Sequence, residues 1–211
     1  MNSPPPRRTR LAVPPDLYDL SLNEVETLAL KAARGAGLPW GVAEDAGRSA
    51  VWLARHAGTW AGSLLALLEA TPTDAQSPLL LAGPLADGAV ATADRVAAPM
   101  WLLPPLLVGS GRCNPVILRF GDVEIRCNPG EDPGATLPAE ALAALAAAPV
   151  AVRWAETRLA PLPHALPARF RRSAVAVATL ARLEALAART YVAASDQSRL
   201  RGAGAGLLDD E

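Results

Sequence analysis

Ser21-Leu22-Asn23-Glu24-Val25-Glu26-Thr27-Leu28-Ala29-Leu30-Lys31-Ala32-Ala33-Arg34-Gly35-Ala36-Gly37 carries a helix with its own start and stop. Ser21 and Glu24 form a capping box: the serine oxygen accepts from the third helical N–H, and the glutamate reaches back to the cap's N–H. At 100° per residue, Leu22, Val25, Leu28, Ala29, Ala32 and Ala33 fall on one face. Glu24, Thr27, Lys31 and Arg34 fall on the opposite one. Gly35 and Gly37 are expected to stop the helix, because glycine takes the left-handed C-cap without a Cβ penalty.

Outward from this helix, Pro39 leads into a second one over roughly 40–57, with Val42, Ala43, Ala46, Ala50, Leu53, Ala54 and Ala57 as its apolar stripe. Glu44 and Arg48 stand four apart in the favourable order. A third short helix spans about 60–70, apolar through Leu64, Leu65, Leu67 and Leu68. The proline-rich stretch 71–112 reads as short strands and loops. Residues 138–148 are the only helical stretch expected between there and the C-terminal region. The clearest strands are Val116-Ile117-Leu118-Arg119-Phe120 and Val123-Glu124-Ile125-Arg126, joined by Gly121-Asp122 as a two-residue turn. Residues 150–156 alternate as another strand. A last long helix is expected from about 168 to 190, its core face made by Leu180, Leu183, Leu186 and Ala187 and extended by Val175, Val177 and Tyr191. The fold class is α+β: an N-terminal helical hairpin plus a third helix, a small antiparallel sheet in the middle, and a long C-terminal helix. Residues 1–20 read as a proline-rich mobile arm and 21–194 as a single domain. Residues 195–211 form a glycine-rich segment, either a tail or an ordered loop.

Composition narrows the function classes. The chain has 211 residues, 20 Lys+Arg, 21 Asp+Glu and a formal net charge of −1, with 51% hydrophobic residues. That hydrophobic fraction excludes wholesale disorder, and the near-neutral charge argues against a general nucleic-acid binder. Two Cys and two His are too few and too scattered for an ordinary structural zinc site. No apolar run follows the basic start as a signal peptide requires. The most apolar stretch, 97–109, is broken by Pro99, Pro104 and Pro105 and falls short of the roughly 20 residues of a membrane span. A cytoplasmic protein is expected. Cys113-Asn114-Pro115 and Cys127-Asn128-Pro129 flank the hairpin. Buried reduced thiols suit that compartment. A disulfide would need a bulge, since residue 127 falls opposite residue 116.

Two stretches carry a resemblance. The opening Ser21-Leu22-Asn23-Glu24-Val25-Glu26, with Lys31-Ala32-Ala33-Arg34-Gly35-Ala36-Gly37-Leu38-Pro39-Trp40-Gly41-Val42-Ala43-Glu44, resembles a bacterial family known only as a domain of unknown function. Thr190-Tyr191-Val192 followed by Ser198-Arg199-Leu200-Arg201-Gly202-Ala203-Gly204-Ala205-Gly206-Leu207-Leu208-Asp209 resembles the way its members end. The resemblance places the chain and implies no activity.

Candidate functional residues cluster in those stretches. Of the basic residues, 19 are Arg and one, Lys31, is Lys. An amine can lose its proton, form a Schiff base or act as a compact point charge, none of which a guanidinium does. The bland alternative is a chance survivor on a solvated face. At the corner between the first two helices, Gly35, Gly37 and Gly41 allow close backbone approach, Trp40 opens a helix with free N–H groups, and Arg34 offers a bidentate contact to a carboxylate or phosphate. The alternative there is a plain helix–helix corner. Ser198, Arg199, Gly202 and Gly204 could complete an anion site beside Arg34 if their segment folds back. The glycine run lacks the Gly-Lys-Ser/Thr end of a phosphate-binding loop, and His56 and His164 stand in no triad spacing. The basic trio Arg169, Arg171 and Arg172 is expected in the first turn of the last helix.

Two function classes follow. One is a non-catalytic accessory or small anionic-ligand-binding protein, without cofactor, nucleic acid or membrane, whose alanine-rich helices could serve a homo-oligomer or a protein partner. The other is a small-molecule enzyme for a carboxylate-bearing substrate, with Lys31 or Glu44 moving a proton and Arg34 or Arg199 binding. A pocket shared by Lys31, Arg199 and Glu44 would favour the enzyme or the ligand-binding reading; a Lys31 on bare surface would count against both.

Overall fold

The computed structural model describes residues 14–70, 74–108, 114–145 and 147–191. Strand β1 (Leu17–Ser21) runs straight into helix α1 (Leu22–Gly35). The capping box forms as expected: Glu24 Oε2 accepts from Ser21 N at 2.7 Å, and Ser21 Oγ accepts from Glu24 N at 3.3 Å. Helices α2 (Trp40–His56) and α3 (Ala61–Glu69) follow within a residue or so of their expected bounds. Val25, Ala29, Ala32 and Ala33 of α1 and Ala43, Ala46, Ala50 and Ala54 of α2 are buried, so small side chains let the two helices pack closely.

The middle departs from expectation. Besides the expected short strand, here β2 (Thr92–Val96), residues 78–108 contain helix α4 (Pro78–Ala86), a 3-10 turn (Pro99–Leu102) and the short helix α5 (Leu103–Val108). Pro78 stands at the start of α4, where its missing N–H would have had no helical partner anyway. Pro84 lies inside the helix, which persists because Leu79, Leu81, Ala82, Leu85 and Ala86 are buried. Helix α6 (Ala139–Ala143) is therefore not the only helical stretch before the C-terminal region.

The hairpin comes out in the register read from the turn. β3 (Val116–Phe120) and β4 (Val123–Cys127) pair antiparallel with Phe120 opposite Val123 and Val116 opposite Cys127, and Gly121 takes φ +58. They sit inside a six-stranded antiparallel sheet completed by β5 (Gly134–Ala135), β6 (Ala148–Trp154) and β7 (His164–Ala165), in the order β2-β6-β3-β4-β5-β7. One contiguous hydrophobic cluster joins it to the helices, with Leu118, Phe120, Ile125 and Val150 from the sheet and Leu64, Leu85, Trp101 and Leu103 from the helical side.

The long C-terminal helix is corrected. Residues 172–176 are strand β8 (Arg172–Ala176), paired antiparallel with β1, and helix α7 (Val177–Ala188) has 12 residues. Ser173 and Val175 point inward while their neighbours are exposed, the period of a strand rather than a helix. Trp60, fully buried, donates its Nε1 to Ser173 Oγ at 2.9 Å, which fixes that register from a distant part of the chain. Leu17–Leu20, read from sequence as part of the arm, are the other strand of this ribbon. Arg172 accordingly lies on β8, its Nε 2.5 Å from Asp19 Oδ2, and not in the first turn of a helix with Arg169 and Arg171.

Helices α1 and α7 come together at Gly35. A Cβ there would stand 1.8 Å from the Leu186 carbonyl oxygen. Gly35 is thus needed for the crossing and not for the turn. Gly35→Ala is expected to destabilise the protein by about 1–3 kcal/mol through overpacking, despite alanine's better helix propensity. Gly62→Ala, in a helix where the added methyl would meet nothing within 4 Å, should be neutral or stabilising by up to about 1 kcal/mol. Urea unfolding of the two variants beside the parent protein checks both signs.

Candidate functional site

The corner after α1 is built by a Schellman motif. Leu38 N donates to Ala33 O at 3.1 Å and Gly37 N to Arg34 O at 2.9 Å, with Gly37 at φ +96 and Leu38 buried. Gly37, not Gly35, supplies the left-handed residue. Arg34 Nη1 donates to the Leu38 carbonyl at 2.5 Å, and its guanidinium carbon sits 5.6 Å from the centre of the Trp40 ring. Trp40 Nε1 donates to Glu44 Oε1 at 2.6 Å. The indole is 59% exposed, so this is a surface arrangement. Helix α2 starts after Pro39 with no side-chain cap, and an added Cβ at Gly37 or Gly41 would meet nothing within 4 Å. The amides of the first turn are therefore open to a ligand. Arg34 takes part in no ion pair among the described residues.

Lys31 lies one turn earlier and belongs to a different feature. Its Nζ donates to Tyr191 Oη at 3.1 Å and stands 5.1 Å from the centre of that ring. It lines a groove of about 660 Å3 with Tyr18, Thr27, Leu28, Glu184 and Tyr191, among others. Both tyrosines of the chain and its sole lysine thus meet in one groove. The sequence placed Tyr191 on the core face, yet it is 65% exposed, and Tyr18 was hidden in the expected arm. The only signal for either was the rarity of tyrosine in this chain.

Glu44 does not line the Lys31 groove. The two residues proposed for proton transfer therefore do not share a cavity, and Glu44 is already hydrogen-bonded to Trp40. The direct partner of Arg48 is Asp45, whose Oδ1 accepts from Arg48 Nη2 at 2.7 Å, and Glu44 acts on that guanidinium only through space. Ser198, Arg199, Gly202 and Gly204 lie outside the described residues.

A second cleft, about 510 Å3, runs beside α2 and α5 and is lined by Glu26, Arg48, Trp52, Arg55, Pro104 and Pro105, among others. Next to it, His56 stacks on Trp52 with ring centres 4.1 Å apart, and its Nδ1 lies 2.7 Å from the Leu166 carbonyl. A neutral ring protonated at Nδ1 satisfies that carbonyl. Burial pushes the His56 pKa below its usual value; the Leu166 carbonyl and Asp132 pull the other way. Cys127 is buried, and burial raises its thiol to about 12, so it stays protonated at neutral pH and is no nucleophile. Its pairing with Cys113 lies outside the described residues. Among the described residues no set of His, Cys, Asp and Glu is arranged to hold a metal ion, and no helix is long and apolar enough to cross a membrane.

Set against known proteins, the N-terminal helices match a family model. Residues 20–76 match the model of a family described as a protein of unknown function (DUF3726), a stretch that contains the capping box, α1, the corner, α2 and α3. The resemblance read from the opening motif is thus found by the family comparison, over a little more than a quarter of the chain. No curated protein and no solved structure matches the chain.

The histidine yields a prediction. A folded-state pKa below the unfolded one means that the neutral ring is favoured by folding. The stability this contributes is present above the unfolded pKa of about 6.5 and is lost as pH falls from there through the lower folded value. The carboxylates Glu24, Glu124 and Glu131, whose pKa values are lowered, act only below their ordinary 4.5. Unfolding free energy should therefore fall between pH 7 and 5, and His56→Gln should flatten the curve in that window. An unchanged slope in the variant would show that His56 is not the source.

Proposed function

We propose that this protein is a non-catalytic, small-ligand-binding protein whose ligand presents a carboxylate or phosphate to the corner between α1 and α2. The observation that supports the reading is the fixed position of Arg34. Its guanidinium is held on the Trp40 face and anchored to the Leu38 carbonyl, beside the uncapped and open first turn of α2. An anion there meets the remaining guanidinium N–H groups and the amides of Trp40, Gly41 and Val42 together. Little rotamer freedom is left for Arg34 to lose on binding. Gly37 acts only by shaping the corner, and Gly35 only by admitting α7. The enzyme alternative draws no support from the separation of Lys31 and Glu44.

Glu44 is the electrostatic counterweight. Its carboxylate is tied to the Trp40 indole and repels an anion, which restrains affinity. Titration with inorganic phosphate and with citrate, followed by Trp emission and by the amide resonances of residues 40–42, tests the reading. Arg34→Met should weaken binding by about tenfold, the loss of one charge-assisted hydrogen bond. Glu44→Gln should strengthen it severalfold. The reading fails if neither anion moves those amides at about 10 mM, well above a millimolar affinity.

A further inference from the structure

Helix α2 turns one stripe of its surface toward the cleft beside α5. Asp45, Arg48, Ser49, Trp52 and Arg55 line it, at spacings of three and four that put them on one helix face. Pro104 and Pro105 of α5 also line it, with ring carbons and no N–H to offer. Glu26 joins them from α1. A Cβ on Gly47 would stand 3.1 Å from the Glu26 carbonyl oxygen and 3.4 Å from its Cγ. The absent side chain lets that glutamate lie against α2 at the level of the neighbouring Arg48 and Ser49. The volume, about 510 Å3, suits a small molecule.

Ser49 stands apart from the other lining residues. It is 1% exposed, and its hydroxyl takes part in no hydrogen bond among the described residues. A helical serine commonly turns its hydroxyl back onto the carbonyl four residues earlier. A buried hydroxyl without a partner costs free energy that a ligand can recover. The charge around it is negative. Asp45 pairs with Arg48 at 2.7 Å, and Glu44 and Glu26 act on the same guanidinium through space. Three carboxylates thus surround one cation, and Glu26 is half-buried and in no ion pair among the described residues. Arg55 is exposed and lies six residues further along α2, about 9 Å at 1.5 Å per residue. Next to Ser49 the wall is aromatic. Trp52 stacks on His56 with ring centres 4.1 Å apart, and His56 Nδ1 is 2.7 Å from the Leu166 carbonyl. The indole and the two prolines are therefore stiff apolar surfaces before any ligand arrives.

We propose that this cleft binds a protonated primary amine carrying an apolar, aromatic body. The ammonium donates to the Glu26 carboxylate and to Ser49 Oγ, and the body packs on Trp52, Pro104 and Pro105. A carboxylate is disfavoured at Ser49, where Glu26 and Asp45 outnumber Arg48. No residue of the corner site touches this ligand, so the two proposals stand or fall separately.

Calorimetric titration of the full chain near neutral pH with phenethylamine, 3-phenylpropionate and methylamine separates the charge from the body. Phenethylamine should bind saturably, with a millimolar or tighter dissociation constant, and shift the backbone amides of residues 48–52. The phenylpropionate, with the same ring and the opposite charge, should bind at least about tenfold more weakly, as should methylamine, which has the charge without the ring. Glu26→Gln should weaken phenethylamine binding about tenfold through loss of a charge-assisted hydrogen bond, and Ser49→Ala about threefold. Arg34→Met should leave it unchanged. Thermal unfolding of each variant beside the parent protein shows that the fold is kept, and Ser49→Ala removes a single oxygen if Glu26→Gln does not fold. Unchanged affinity in either folded variant would overturn the proposal. So would equal binding of phenethylamine and 3-phenylpropionate, or no saturable binding of the amine at about 10 mM.

Discussion

The missing side chain of Gly35 sets the distance between α1 and α7, and most of what lies on that side of the molecule follows from it. With the Leu186 carbonyl where a Cβ would otherwise stand, the last turn of α7 lies close enough to α1 for Tyr191 to reach Lys31. The same approach leaves the groove open on the N-terminal half of α1. A larger residue would force the helices apart, because packed interiors yield little. One hydrogen atom in place of a methyl group therefore positions the sole lysine of the chain.

How far this was legible in the sequence depended on whether each signal was local. The capping box, the α1 stripe and the Gly-Asp hairpin are written in neighbouring residues, and they appear with the expected pairings. α4 was missed because its prolines read as breakers, whereas one stands where a helix tolerates it and the other is outweighed by burial. β8 was read as helix because its alanines and arginines suit a helix. What makes it a strand is non-local: β1 pairing along its length and the Trp60 indole bonded to Ser173. The order of the six-stranded sheet is likewise a property of the whole chain.

The candidate site shows the same division. Arg34 and Trp40 meet because they are close in sequence around a helix stop. Lys31 was singled out by rarity, and its partner Tyr191 is 160 residues away, beyond any local pattern. Gly35 was credited to the turn that Gly37 makes, since both lie at the helix end and only the packing distinguishes them. The alanine and arginine excess fills close helix contacts and surface ion pairs. It carries information mainly through its exceptions.

The β1–β8 ribbon has a consequence for how the chain reaches this state. Asp19 and Arg172, which meet across it, are 153 residues apart. Closing a loop of that length costs about 4–5 kcal/mol of chain entropy before any contact repays it. Such pairings slow folding, and they are made late. During synthesis α1 can form as soon as it emerges, but β1 must wait until β8 has left the ribosome. Until then the buried Trp60 has no Ser173 to bond, and the apolar face of α1 has no α7 to cover it. The nascent chain therefore exposes its N-terminal helices for most of its synthesis, which makes that interval the period in which a chaperone has most to protect.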